Sequence, residues 1–177
     1  ENGSLPHTAP NPYAAGGGPY WCAFLISASW KTYLNYGDKR ILEKFYPFMQ
    51  KWLEYVDEYT VNGLLQRWPD TDYRNWYLGD WATPEGVDQT DSESVDLVSN
   101  CVISVCLDQI SKIARVLTKT EDSEFYSQKR ERLNKTIHET FFNESNPAYA
   151  TSSQINLIYP LLAGVVPEKF IDPVTDH

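Results

Sequence analysis

The stretch GGGPYWCAFLISASWKTYLNYGDKRILEKFYPFMQKWLEYV, residues 16–56, decides the fold. Its first half, Tyr20 to Tyr36, is apolar or small at nearly every position, and Lys31 is its one charge. Trp21, Phe24, Leu25, Ile26, Trp30, Tyr33 and Leu34 leave no wet side, so this helix is predicted to be buried all round. Gly37 then ends it, because glycine accepts the left-handed conformation that closes a helix. The second half, Lys39 to Tyr59, has another character. Ile41, Leu42, Phe45, Phe48, Met49, Trp52, Leu53 and Val56 recur every three or four residues, with Lys44, Lys51, Glu54, Asp57 and Glu58 opposite. That is an amphipathic helix with one solvated face. Pro47 inside it predicts a kink or a restart.

The pair recurs along the chain. Ser92 to Thr118 opens densely apolar, with Val95, Leu97, Val98, Cys101, Val102, Ile103 and Leu107. Ser92 or Ser94 suits its N-terminal cap, and Asp91 and Glu93 suit the positive end of its dipole. Glu121 to Phe142 is polar with a narrow stripe of Tyr126, Leu133, Ile137 and Phe141; a third pair begins near Ser152 and reaches Gly164. Pro167-Glu168 predicts the opening of a sixth helix. Burying one helix of each pair completely and the other on one side requires two layers, an α/α toroid or an open α-solenoid. The apolar helices start about 72 and 60 residues apart. Common short repeats have regular periods of roughly 33–47 residues, so the toroid is the expected fold. Short turns join apolar to amphipathic helices, and long connections (1–19, 61–91, 143–151) lead back. All long connections then gather on one face, where function usually resides.

Composition narrows the function. The 177 residues are 42% apolar and carry a net charge of −9, with 6 Trp and 12 Tyr. An acidic chain without a basic stripe offers nothing to nucleic acid. No uninterrupted apolar run approaches the ~20 residues that span a bilayer, so no membrane segment is expected. Cys22, Cys101 and Cys106 read as buried thiols without metal-ligand spacing. His7, His138 and His177 are scattered, and no metal or cofactor is expected. The chain starts at Glu1 with neither an initiator Met nor a leader, which leaves its compartment open.

The 61–91 connection is the richest in chemistry. It holds Trp68, Trp76 and Trp81, together with Asp70, Asp72, Asp80, Glu85, Asp88 and Asp91. Flat aromatic faces beside carboxylates fit a sugar, which presents C–H faces and hydroxyl edges together. The competing reading is that the aromatics pin a long loop to the rim. Gly16-Gly17-Gly18-Pro19-Tyr20-Trp21 is the second candidate: glycines allow close approach of a ligand, and Trp21 in the first turn of an apolar helix points toward the mouth. A flexible lead-in followed by a core Trp is the alternative. Arg67 and Arg74 can bind a substrate hydroxyl or pair with Asp70 and Asp72, and the ion pairs are the expected reading. Three Asn-x-Ser/Thr sequons begin at Asn2, Asn134 and Asn143.

The 16–56 stretch resembles the catalytic domain of bacterial α-L-rhamnosidases, six-hairpin (α/α)6 glycosidases. So do LGDW at Leu78 to Trp81 and Ser153-Gln154 followed by LIYPLLAGVVPEKF. The resemblance runs over about the whole chain and implies that residues 1–177 are a partial (α/α)6 catalytic domain, about three hairpins of six. It implies hydrolysis of terminal α-L-rhamnosyl residues with inversion, in the periplasm or outside the cell. Two carboxyl groups about 6.5–9.5 Å apart carry that reaction. The family's acid motif lies before the segment resembling Gly16 to Trp21, and its base beyond Gly164 to Glu168; neither is present. The resemblance carries Trp21, Asp80 and Trp81 over as substrate-binding residues, while Cys22 and Ala23 replace the Gly-Asp that often follows the Trp. The expected partners are a carbohydrate and either the remainder of the parent chain or another copy of this one. A non-catalytic carbohydrate-binding or interaction module is the alternative, as is a six-hairpin glycosidase acting on another sugar.

Overall fold

A computed structural model describes residues 3–6, 16–67, 75–76 and 92–176. The helices fall where the apolar spacing puts them. They are α1 (Pro19–Cys22), α2 (Phe24–Tyr36), α3 (Arg40–Glu58), α4 (Ser92–Val116), α5 (Thr120–Phe141), α6 (Gln154–Ala163) and α7 (Ile171–Thr175). The predicted first helix breaks at Ala23 into α1 and α2. Gly37 at φ 69° closes α2 and Gly164 at φ 67° closes α6, both left-handed. A side chain at Gly164 would also meet the Arg130 guanidinium at 2.8 Å. The expected sixth helix is a single 3₁₀ turn, Glu168–Phe170, running into α7.

Two layers result. The inner one holds α1, α2, α4 and α6, with α4 packed against the other three; the amphipathic α3 and α5 lie outside. Leu42, Met49, Trp52, Leu53 and Val56 turn one face of α3 inward, and Lys44, Lys51, Glu54 and Glu58 stay exposed. Polar bonds tie the layers and the outer helices together. The Tyr46 hydroxyl donates to Asp122 Oδ2 at 2.8 Å, and Ser104 Oγ donates to Asn134 Oδ1 at 2.5 Å. Asn134 Nδ2 in turn donates to the Gly164 carbonyl at 3.0 Å, so this sequon amide is occupied in structure. The three cysteines are buried thiols outside any disulfide, as expected, and the Cys22 thiol donates to the Leu5 carbonyl at 3.3 Å.

Four expectations need correction. The helix predicted to be buried all round is not. In α2, Phe24, Leu34 and Tyr36 are 48%, 56% and 80% exposed. An inner helix needs a neighbour on each side, and among the described residues α2 has α4 beside it in that layer and otherwise packs there on α1, the short helix it continues from. Pro47 marks no restart; α3 runs through it as one helix, with the ring on the exposed side. Of the two serines expected at the cap, Ser94 lies inside α4, two residues after Ser92 opens it, and its hydroxyl donates to Asn156 Oδ1 at 2.8 Å. Finally, α4 over Glu93–Val116 is long and apolar enough to cross a membrane by length and composition, although 78% of an 18-residue apolar stretch within it is buried inside the protein.

Short strands complete the connections. β1 (Gly16–Gly17) pairs in parallel with β4 (Asn75–Trp76); β2 (Thr60–Val61) with β3 (Leu64–Leu65) and β5 (Phe142–Asn143) with β6 (Ala148–Tyr149) form hairpins. Asn62 (φ 53°) and Gly63 (φ 82°) make the β2–β3 turn, the Asn-Gly chemistry of a tight hairpin.

Candidate functional site

The N-terminal ends of α1, α4 and α6 converge on one face. Gly18 is extended at φ −65°, ψ 173°, and Pro19, whose ring presets the helical φ, starts α1 immediately after it. Tyr20 and Trp21 therefore occupy the first turn. Tyr20 meets Trp21 edge-on, with ring centroids 6.0 Å apart, and on its other side meets Tyr159 of α6 at 6.1 Å. All three rings are partly buried, so they form an aromatic ridge open to solvent along part of its length. Beneath it the Ser94–Asn156 bond joins α4 to α6, and Asn156 Nδ2 donates to Thr151 Oγ1 at 2.8 Å. Asn156 is fully buried, and these bonds hold the two helix ends in register.

The long connections meet at this rim. The Gly16–Asn75 and Gly17–Trp76 backbone pairs lay part of the 61–91 connection directly beside the start of α1. At its root, the Leu65 N–H donates to Asn100 Oδ1 at 2.8 Å, and Asn100 Nδ2 donates back to the Leu65 carbonyl at 3.3 Å. Leaving β3, Arg67 passes the first turns of α4, and its Nε donates to Asp96 Oδ1, one turn before Asn100, at 3.3 Å; the Asp70 and Asp72 expected as partners lie outside the described residues.

Of the predicted site residues, Trp21 stands at the rim. Asp80 and Trp81 lie outside the described residues, as do Trp68, Asp70, Asp72, Arg74, Glu85, Asp88, His7 and His177. Glu93 is exposed in the first turn of α4. No group of three metal-ligating side chains occurs among the described residues. Among the described residues the carboxyl group with a lowered pKa is Asp38, held down to about 2 by the Arg40 side chain, in the turn between α2 and α3 and away from the rim. Tyr20 was part of the Gly16–Trp21 candidate stretch, whereas Tyr159 and Asn156 were not singled out in the sequence. Tyr159 sits in an apolar run that reads as core. Asn156 did leave a signal, an amide between Ile155 and Leu157.

Comparison with known proteins fits this architecture. The family model for the bacterial alpha-L-rhamnosidase 6 hairpin glycosidase domain matches residues 1–176. An alpha-L-rhamnosidase of Alteromonas sp. (strain LOR) is 25% identical over 150 residues, covering 81% of this chain and 15% of that protein. The solved alpha-L-rhamnosidase of Dictyoglumus thermophilum superposes with a TM-score of 0.83 at 29% identity, over 99% of this chain and 19% of that one. The Streptomyces avermitilis alpha-L-rhamnosidase, solved with L-rhamnose, shares the fold at a TM-score of 0.83 and 17% identity, over 99% of this chain and 16% of that one. The chain thus spans less than a fifth of the length of these relatives.

Proposed function

Because this chain belongs to the bacterial α-L-rhamnosidase six-hairpin glycosidase family, we propose that it is one part of a catalytic domain that releases terminal α-L-rhamnosyl residues from glycosides. Residues 1–177 supply one wall of the sugar pocket. Trp21 and Trp81 offer flat apolar faces to the C–H side of the sugar, and Asp80 accepts hydrogen bonds from its hydroxyls. In an inverting reaction one carboxylic acid protonates the leaving oxygen while a second carboxylate takes a proton from the attacking water. The two stand about 6.5–9.5 Å apart so that the water fits between. The resemblance assigns both to hairpins other than these, so this piece alone has no turnover. Its partners are a rhamnose-containing glycoside and the remaining hairpins of the full-length protein.

The observation that carries this reading is the β1–β4 pairing. It brings the connection containing Asp80 and Trp81, four and five residues beyond Trp76 in sequence, to the helix whose first turn holds Tyr20 and Trp21. The test is hydrolysis of an aryl α-L-rhamnoside by the full-length protein. Trp81→Ala should raise KM more than Asp80→Ala does, and Asp80→Ala should mainly lower kcat. Cleavage of aryl glucosides or uronides alone would make the sugar wrong. Near-wild-type kinetics for both variants would remove this connection from the site.

A further inference from the structure

Away from the aromatic ridge, a cavity of about 290 Å³ opens between α3, α4 and α5. Its walls are apolar: Val56 from α3, Ile103 and Leu107 from α4, and Leu133 from α5, all buried in the core. The β2–β3 hairpin forms the roof, held by the paired Leu65–Asn100 bonds and by the approach of Gly63 to Thr136. Small-molecule sites are mostly apolar concavities of about this size or larger with a few placed polar groups.

Charge at the mouth selects the occupant. Asp57, Lys129 and Arg132 line it, and Lys129 Nζ lies 2.5 Å from Asp57 Oδ1, so that pair cancels. The Arg132 guanidinium forms no ion pair with any described residue, which leaves the mouth one positive charge in excess. A guanidinium presents two parallel N–H groups that match a carboxylate.

We propose that this cavity binds a small amphipathic monocarboxylate, its alkyl or aryl body against Ile103, Leu107 and Leu133 and its carboxylate on Arg132. The site is separate from the sugar pocket and does not depend on the rhamnosidase reading. Since its roof is the root of the 61–91 connection, an occupant braces the segment that leads to the rim.

The probe is 4-phenylbutyrate, titrated into the purified full chain by calorimetry, with the Ile103 and Leu107 methyl resonances followed in parallel. Saturable 1:1 binding is expected, with a dissociation constant on the order of 1 mM or tighter. Arg132→Gln and the neutral probe 4-phenylbutyramide should each weaken it by about tenfold or more. Arg132 is exposed, so an unchanged thermal transition will show that the variant is folded. No saturation in the millimolar range overturns the proposal. So does equal affinity for the acid and the amide, an unaffected Arg132→Gln variant, or methyl shifts away from the cavity.

Discussion

α4 and α2 are the same kind of helix in sequence and different objects in the fold. Both are apolar on nearly every side. In α4, Leu97, Cys101, Cys106, Leu107, Ile110 and Ile113 are completely buried, because α2, α5 and α6 surround it. In α2 only Ile26 and Ser29 are buried, while Phe24, Leu34 and Tyr36 face outward. α6, on the other side of α4, repeats the pattern of α2, with Ile158 and Leu162 43% and 68% exposed. An all-round apolar surface therefore states a requirement, and only neighbours meet it. Apolar flanks on two opposite edges mark where further hairpins of a ring would sit, and surfaces of this kind promote association when left open.

The contrast can be broken most directly by truncation. Leu107→Ala in α4 should cost about 2–5 kcal/mol in urea unfolding, since it leaves a cavity among fixed neighbours. Leu34→Ala in α2 should stay within about 0.5 kcal/mol of wild type. Equal losses would erase the distinction. Asn100→Ala, also in α4, should cost about 1–3 kcal/mol, because it removes the partner of both backbone groups of Leu65. Faster hydrogen exchange should then appear in β2–β3 before it appears in α4.

The open flanks give a third, smaller effect. This chain by itself is expected to self-associate, and Leu34→Lys combined with Leu162→Lys should weaken that association by about tenfold, read by light scattering. A monodisperse wild-type monomer would show that the exposed edges need no cover. The smallest effect sharpens the comparison at the last hairpin. His138 stacks on Phe142 at 4.5 Å and bonds the Tyr149 hydroxyl through Nδ1 at 2.8 Å, with Phe170 packed on the same group. Burial, helped by Lys169, pushes its pKa below the ordinary 6.5, against opposing influences from Glu139 and Glu144. The fold thus favours the neutral ring. This contribution is complete above pH 6.5 and is lost as pH falls through the lowered native value. Acidification should speed exchange in β5–β6 and around Phe170 while α4 stays protected, and His138→Gln should remove that pH dependence.

Much of the fold was legible because helices announce themselves locally. The 3.6-residue period, Gly37 and Gly164 located α2, α3 and the end of α6. The pairing of short turns with long connections placed the N-terminal ends of α1, α4 and α6 together, and the Ser94–Asn156 and Tyr20–Tyr159 contacts join them there. Two-residue strands leave no period to read, so β1–β4 and β2–β3 were invisible despite the Asn62-Gly63 turn. Trp21 was legible as a first-turn aromatic ahead of an apolar run. Tyr159 was not, because the same spacing that faces it to Tyr20 also fits an ordinary core position.

What the chain's own residues determined was the type, order and closure of each helix, since these follow from neighbours a few positions apart. Tertiary structure decided which inner helix is covered, that Arg67 meets Asp96 and that Gly17 meets Trp76. Each of those is a relation between distant segments. Burial belongs to two surfaces at once, and a sequence read locally describes only one of them.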